Sequence, residues 1–329
     1  MHRSRHYRGA VALVAAATMV LTLGGAANAS TTIHIVDTFD ESSGQNTEGV
    51  AVDRNGNVFV SVSPLGDVWK FSAGSSTPQP FGHVAGITAG VDFGLLGLAV
   101  DADGNVYGAV QSANAAANGV WRFDAGTGAA THIHGTEAMG IANGLTLDHA
   151  GNLYVTDSTG KIWRIRPSGK VTVWLDDAAL TGDGSLGLFL GANGIAYRNH
   201  VFTVTNTERR TILTIPKLEG GHPGPIGVLT TLPAGDNPDG VALDVEGNAY
   251  VAMNLADAIG IVSPGGSLTV LASGSPLDFP SSVAFDQRTE HRRMLFGVNF
   301  SLTEAFGLPS GFGPALWWLG TDVKGVRVG

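Results

Sequence analysis

Four oxygen-bearing side chains occupy equivalent places in a short phrase that the chain repeats. Each stands directly before a glycine that opens a short apolar run: Glu48, Asn143, Asn193 and Asp239. Two carboxylates and two amides that converge on one point suit Ca²⁺, which accepts about 6–8 oxygen ligands and completes its shell with water. The chain has no cysteine, and no histidine occupies these places, so zinc is disfavoured. The set therefore predicts one calcium site, with other divalent cations as alternatives.

Each of these residues also has a purely structural explanation. Asparagine and aspartate before glycine are common in turns, and one such residue taken alone is more often structural than functional. Glu48 departs from this pattern because glutamate has little turn preference. The joint placement of all four at equivalent positions favours a shared site over four separate turns.

The repeat itself predicts the fold. The glycine of the phrase falls at 49, 97, 144, 194 and 240, Ser282 takes its place in the sixth copy, and the copies lie about 42 to 50 residues apart. Periods of about 40–50 residues with four short strands each are typical of β-propeller blades. We predict an all-β, six-bladed β-propeller with four antiparallel strands per blade, formed as a single domain by residues 30–329. Residues 31–39 are expected to add the outer strand of the last blade and so close the ring.

Strand direction then predicts where the chemistry lies. Antiparallel strands place the residue before each glycine on one face of the propeller, together with the irregular links between blades. The tight Asp-x-x-Gly-Asn turns lie on the opposite face. Apolar residues of the links beside a polar centre make a small-molecule cleft. The predicted substrate pocket consists of Phe93, Leu96, Leu188, Phe189 and Ser281.

Residues 1–29 read as a secretory signal peptide that is cleaved after Ala29. Three arginines precede an apolar stretch, and Ala27-Asn28-Ala29 is a small-x-small cleavage site. The mature protein is therefore expected outside the cell or in the periplasm, free of the membrane and monomeric. Loss of three arginines and no acidic residue changes the formal net charge from −9 to −12, which makes nucleic acid an unfavourable partner.

The repeated phrases resemble the metal-site motifs of the senescence marker protein/gluconolactonase family, which includes regucalcin. The resemblance rests on Glu48-Gly49, Asn143-Gly144-Leu145, Ala192-Asn193-Gly194-Ile195 and Pro238-Asp239-Gly240-Val241, and it spans roughly residues 45–300. It implies a calcium-dependent hydrolase of lactones or esters, with phosphotriesters as a further substrate class. Carried over by position, Glu48, Asn193 and Asp239 are metal ligands, and Asn143 is a ligand or a substrate contact.

The resemblance also implies a role in catalysis for Asp239, as base or nucleophile. Activation of water by the metal is the rival mechanism, because a carboxylate bound to a cation is a weak base. Ser281 and Ser282 stand where some members of the family carry a histidine, so no assisting base is evident. The alternative function is a non-catalytic propeller of the NHL-repeat type that binds a ligand or a protein through the same face.

His132 and His134 form a second candidate for metal binding. They alternate on a predicted outer strand and would face the same side. A solvated strand face is the simpler explanation for such a pair.

Overall fold

The computed structural model describes residues 31–302 and 311–327. The predicted signal peptide, residues 1–29, lies outside the described residues. Within the described ranges, every helix is too short or too polar to cross a lipid bilayer. Helical structure there consists of three short 3-10 turns, at Glu41–Ser43, Ser63–Leu65 and Glu219–Gly221.

The described residues form six four-stranded antiparallel sheets, which confirms the predicted six-bladed propeller. Blades one and two contain β2 (Thr47–Val52), β3 (Val58–Val62), β4 (Asp67–Phe71) and β5 (Pro78–His83), then β6 (Gly94–Val100), β7 (Val106–Gln111), β8 (Gly119–Phe123) and β9 (Ala130–His132). Blades three and four contain β10 (Ala142–Leu147), β11 (Leu153–Asp157), β12 (Thr159–Ile165) and β13 (Val171–Thr181), then β14 (Ala192–Arg198), β15 (Val201–Asn206), β16 (Thr211–Pro216) and β17 (Gly227–Thr231). Blades five and six contain β18 (Pro238–Leu243), β19 (Ala249–Met253), β20 (Ala258–Val262) and β21 (Leu268–Ser273), then β22 (Pro280–Phe285), β23 (Met294–Asn299), β24 (Ala315–Gly320) and β1 (Ile33–Thr38).

The ring closes through β1, the first strand of the described chain. It pairs antiparallel with β24, from Ile33 opposite Leu319 to Thr38 opposite Ala315. Blade six is thereby built from both ends of the domain, as the sequence predicts. Closure matters because an open array would leave unpaired strand edges at its two ends.

In blades one, two, three and five, an Asp-x-x-Gly-Asn turn connects the inner strand to the second strand. In blade one, Asp53 Oδ1 accepts the backbone N–H groups of Asn55 and Asn57, both at 2.8 Å. Gly56 has φ +82°, a conformation that glycine adopts without steric cost. All three observations support the structural role predicted for these turns, which lie at the end of the inner strand opposite Glu48.

The core lies between neighbouring blades. Val60 and Phe71 of blade one pack with Val298 and Leu316 of blade six, and all four are at most 1% exposed. Trp317 is fully buried, and its Nε1 donates a hydrogen bond to Asn299 Oδ1 at 2.9 Å. One ring of the Trp317-Trp318 pair therefore packs into the core.

Candidate functional site

The residue before each repeated glycine lies in an irregularity that recurs in all six blades. The register between the inner strand and its neighbour shifts at this place in every blade, for example between Thr47 and Val50 in blade one and between Pro238 and Val241 in blade five. Such bulges re-aim a side chain and are common beside active sites. The bulge explains how a residue within a strand turns its side chain to the centre of the ring.

The repeated glycine is required by the next blade. A Cβ atom on Gly49 would lie 2.5 Å from the carbonyl oxygen of Leu96, and one on Gly194 would lie 2.4 Å from that of Asp239. Real Cβ atoms do not approach oxygen so closely, so any side chain would force the blades apart. The backbone of each inner strand thus contacts the variable position of the following blade directly.

Hydroxyl groups on the second strands hold the same carbonyl oxygens. Thr205 Oγ1 donates to the carbonyl of Asp239 at 2.5 Å, and Thr156 Oγ1 donates to that of Asn193. At the ring closure, Ser281 Oγ donates to the carbonyl of Glu48 at 2.8 Å. The main chains of Glu48, Asn193 and Asp239 are therefore fixed by the preceding blade, and their side chains line the channel.

The structure brings the four predicted ligands together at the mouth of the central channel. Glu48, Asn143, Asn193 and Asp239 are each only 5–7% exposed. All four line the channel cavity, of about 120 Å³, and all four also line an adjoining cavity of about 60 Å³ on the face where the inner strands begin. The two cavities meet at this ring of oxygen atoms.

Neighbouring hydroxyl groups orient the two asparagine side chains. Asn193 Nδ2 donates to Thr207 Oγ1 at 3.0 Å, and Asn143 Nδ2 lies 3.4 Å from Ser158 Oγ. With one amide hydrogen of each directed to a hydroxyl, the two asparagines can present their amide oxygens as ligands for a cation.

Within the described chain, the two carboxyl groups are buried without a cationic side chain to balance their charge. Burial, and then the charge of Asp239, raises the pKa of Glu48 well above its usual range. Burial raises the pKa of Asp239 to about 7, against the opposing hydrogen bonds from Asn254 and Asn193. Glu48 Oε2 is buried and has no hydrogen-bond partner among the described residues. No lysine or arginine of the described chain lines either cavity.

These observations fit a bound cation. An unpaired carboxylate oxygen in a closed site costs free energy unless a positive charge compensates it. The donor set is two carboxylates and two amide oxygens, which hard cations such as Ca²⁺ prefer. The residues that would hold the ion are Glu48, Asn143, Asn193 and Asp239.

The smaller cavity has an apolar wall, which we call the apolar cleft. Its wall is formed by aliphatic and phenyl side chains, most of them from loops between strands. They are Phe93, Leu96, Ile141, Leu186, Leu188, Leu190, Leu255, Phe279, Phe300 and Leu302. Phe93, Leu96 and Leu188 therefore lie where the sequence places a substrate pocket. Ser281 lines the channel instead, and Phe189 lies outside both cavities with 66% of its surface exposed.

Glu208 fixes the loop that carries three of these leucines. Its side chain is fully buried and accepts hydrogen bonds from the backbone N–H groups of Gly184 at 2.6 Å and Leu188 at 3.2 Å. The loop thereby holds Leu186, Leu188 and Leu190 over the ring of oxygens.

Sequence reasoning missed the residues that orient the ligands. A polar residue follows the second strand in blades three, four and five: Ser158, Thr207 and Asn254. Each donates to a main-chain carbonyl of the next blade, at 2.8–2.9 Å. Because these polar residues recur at the same position of the repeat, they could have been identified from the sequence. Glu208 has no equivalent in the repeat, so only its loop contacts reveal it.

The two histidines of the second candidate differ from their predicted arrangement. Strand β9 ends at His132, so His134 lies in the following turn, where its side chain is 94% exposed. The turn adds Glu137, and one ligand atom from each of the three residues lies within 4.8 Å of the others. Glu137 was not recognised from the sequence because the turn, not a strand period, brings it there.

Comparison with known proteins adds the fold relationship. Neither a protein-family model nor a curated protein sequence matches the chain. Solved structures do match: a gluconolactonase from Xanthomonas campestris has a TM-score of 0.65 at 18% identity, covering 89% of this chain and 90% of its own. Regucalcin from Agrobacterium tumefaciens, described as a calcium-binding protein, has a TM-score of 0.65 at 17% identity, covering 91% and 96%. A luciferin-regenerating enzyme has a TM-score of 0.67 at 16% identity, covering 91% and 98%. The chain thus has the gluconolactonase- and regucalcin-like propeller fold over most of its length.

Proposed function

We propose that this propeller is a metal-dependent hydrolase of lactones or esters. The observation that carries the proposal is the pair of buried carboxyl groups, Glu48 and Asp239, which share one ring with two amide oxygens. Among the described residues, no cationic side chain lies beside them. Enzymes on the same fold, among them a gluconolactonase, support this reaction class.

The ion would supply Lewis-acid polarisation of the substrate carbonyl oxygen. The protein residues do the rest. The apolar cleft admits the substrate from the face where the inner strands begin and excludes water around it. Asp239 Oδ2 accepts a hydrogen bond from Asn254 at 2.9 Å, which fixes the carboxylate beside Asn193. Asp239 would take the proton from the attacking water, or the ion would make that water more acidic; these are the two alternatives that the sequence left open.

The experiment is a lactone and ester panel measured with and without chelator. We expect turnover that chelator abolishes and added Ca²⁺ restores. Asp239→Asn should lose turnover by at least about a hundredfold, the usual scale for a positioned acid–base group. Asp103→Asn, in an exposed turn, is the matched control and should behave as wild type.

Two results would contradict the proposal. Turnover indifferent to chelator would remove the metal from the mechanism. Ca²⁺ binding without turnover of any lactone or ester would instead favour a binding module, the alternative that the sequence left open.

Export of the mature chain belongs to the same proposal. A cleaved signal peptide would deliver the protein to a compartment where Ca²⁺ is abundant, so that even a weak site with a Kd of about 10⁻⁴–10⁻³ M would be filled. The mature protein should begin at Ser30 and migrate as a monomer, which N-terminal sequencing and analytical ultracentrifugation test.

A further inference from the structure

Among the described residues, the apolar cleft offers a substrate few free hydrogen-bond donors beyond the proposed ion site. Thr207 Oγ1 already donates to Pro238 O at 2.8 Å and accepts from Asn193. Both amide hydrogens of Asn254 are donated within the protein, and Asn237 Nδ2 donates to the carbonyl of Thr207 at 2.9 Å. The remaining wall is aliphatic and aromatic.

A polyhydroxylated lactone would bind weakly in such a cleft. Each of its hydroxyls would lose water without gaining a partner, and a buried unpaired hydroxyl opposes binding. An alkyl tail, by contrast, gains free energy with every methylene that leaves water. The cleft therefore discriminates by polarity.

Resting on the proposed function, we infer that the substrate is a lactone or ester with an apolar alkyl or acyl tail, and not a sugar lactone. The carbonyl of the substrate lies at the ring of oxygens, and the tail lies against the apolar wall. The loop held by Glu208 covers the tail, so Leu188, which is 39% exposed, forms the outer part of its binding surface.

The test is a γ-lactone series with a constant ring: γ-butyrolactone, γ-hexalactone and γ-nonalactone, compared with glucono-δ-lactone. We expect kcat/KM to rise about fourfold per methylene until the tail fills the cleft. Glucono-δ-lactone should be the poorest substrate. Leu188→Gln should lower kcat/KM for γ-nonalactone several-fold more than it lowers kcat/KM for γ-butyrolactone, because only the longer substrate reaches the outer wall. Val228→Gln, on the exposed outer strand β17, is the matched control.

A parallel binding arm separates this inference from the proposed function. γ-Lactams with the same tails resist hydrolysis, and their affinity for the Ca²⁺-loaded protein can be measured by calorimetry. Tail-dependent lactam binding without turnover of any lactone would overturn the hydrolase assignment and keep the apolar cleft. Affinity and turnover independent of tail length, or a preference for glucono-δ-lactone, would overturn the inference.

A separate observation carries a second inference, at the end of β9. His132 Nε2 lies 2.9 Å from the carbonyl oxygen of Asn118, which can only accept, so Nε2 carries the hydrogen and Nδ1 keeps its lone pair. The ring also stacks on Trp121 with centroids 4.8 Å apart. A histidine oriented in this way is prepared to bind a metal through Nδ1.

Glu137 and His134 complete a three-ligand set around that lone pair. Glu137 Oε1 lies 3.9 Å from His132 Nδ1 and 3.5 Å from His134 Nδ1. The other oxygen, Oε2, accepts the N–H of Gly135 at 2.7 Å, which fixes the carboxylate. We propose that His132, His134 and Glu137 bind a divalent transition metal of the Zn²⁺, Ni²⁺ or Cu²⁺ class, because two imidazoles and one carboxylate suit these ions better than Ca²⁺.

Cobalt titration tests this site directly, since protein-bound Co²⁺ has visible d–d absorption that Ca²⁺ lacks. We expect one Co²⁺ per chain, competed by Zn²⁺, with affinity lowered at least tenfold in His134→Ala and unchanged in Asp239→Asn. His222→Ala, a histidine outside the set, is the control. Absence of Co²⁺ absorption, or equal affinity in His134→Ala and His222→Ala, would overturn the site.

Discussion

Asn254, the residue directly after β19, donates a hydrogen bond from Nδ2 to Asp239 Oδ2 at 2.9 Å within blade five. The same amide group donates to the carbonyl of Pro280 in blade six, also at 2.9 Å. One side chain thus fixes the orientation of a proposed ligand and joins two blades. The geometry of the proposed ion site therefore depends on Asn254, which is not one of the proposed ligands.

The first prediction concerns Asn254→Ala. Loss of the amide frees the Asp239 carboxylate to rotate, and residues that orient metal ligands contribute about 10–100-fold to metal affinity. We expect Ca²⁺ affinity to fall by at least about tenfold on this scale, measured by calorimetry. Asn55→Ala, in an exposed turn on the opposite face, should leave the affinity unchanged. Equal affinity in the two variants would show that Asp239 needs no such support.

The second prediction concerns Glu48→Gln. In chelator, the native protein buries Glu48 with no partner for Oε2, close to the charge of Asp239, so the neutral amide should raise the melting temperature. In Ca²⁺, the same substitution should remove most of the stabilisation that a bound ion provides, about 2.7 kcal/mol at a hundredfold excess over Kd. Thermal unfolding with and without Ca²⁺ measures both effects. Glu246→Gln, an exposed glutamate, should change neither, and a wild-type melting temperature indifferent to Ca²⁺ would contradict the prediction.

The third prediction concerns Gly194→Ala. The new Cβ would lie 2.4 Å from the carbonyl oxygen of Asp239, so blades four and five must separate. We expect a loss of about 1–3 kcal/mol in the free energy of unfolding, the usual cost of overpacking, together with weaker Ca²⁺ binding. Denaturant unfolding and calorimetry test the pair of effects. The control is Gly320→Ala, where the added methyl group meets nothing within 4 Å; loss of stability with intact ion affinity would separate the glycine from the site.

The fourth prediction concerns acid stability. Burial alone would raise the pKa of Asp148, but hydrogen bonds from Lys217 and Asn152 outweigh it and hold the pKa below its usual range. Because the native pKa lies below the unfolded value of about 3.9, this carboxylate stabilises the fold above that pH, and the contribution is lost as the pH falls through the native pKa.

Lys217→Met tests this pair. Removing one partner leaves Asp148 buried and unpaired, which should cost about 3 kcal/mol at neutral pH. The pKa of Asp148 should then rise, so the decline of stability with acid should begin at a higher pH than in the wild type. Urea unfolding between about pH 3 and 7 measures both changes. Lys170→Met, at an exposed turn, should follow the wild-type curve.

The sequence predicts the fold well because its repeat encodes contacts that every blade makes. The glycine at 194 marks a close approach to the next blade, and the tight turn after Asp53 marks the opposite face. The four proposed ligands could be named for the same reason, since a ring brings equivalent positions together. Whether they bind an ion stays a prediction.

The apolar cleft is only partly encoded in the repeat, because loops follow no period. Leu188 lines the cleft and its neighbour Phe189 does not, although both are apolar. The difference arises from the left-handed conformation of Phe189, with φ +55°, and from the hydrogen bond between Leu188 N and Glu208. Neither the conformation nor the distant acceptor can be seen in the order of residues.

The main-chain contacts between inner strands do not depend on which side chain occupies the variable position. In four of the six blades a hydroxyl group of the preceding blade donates to the carbonyl at the variable position, so the side chain there contributes little to holding the blades together. In blade two the equivalent position is Leu96, whose side chain is aliphatic. Substitutions at the six variable positions should therefore be able to create or remove an ion site without changing the propeller that carries them.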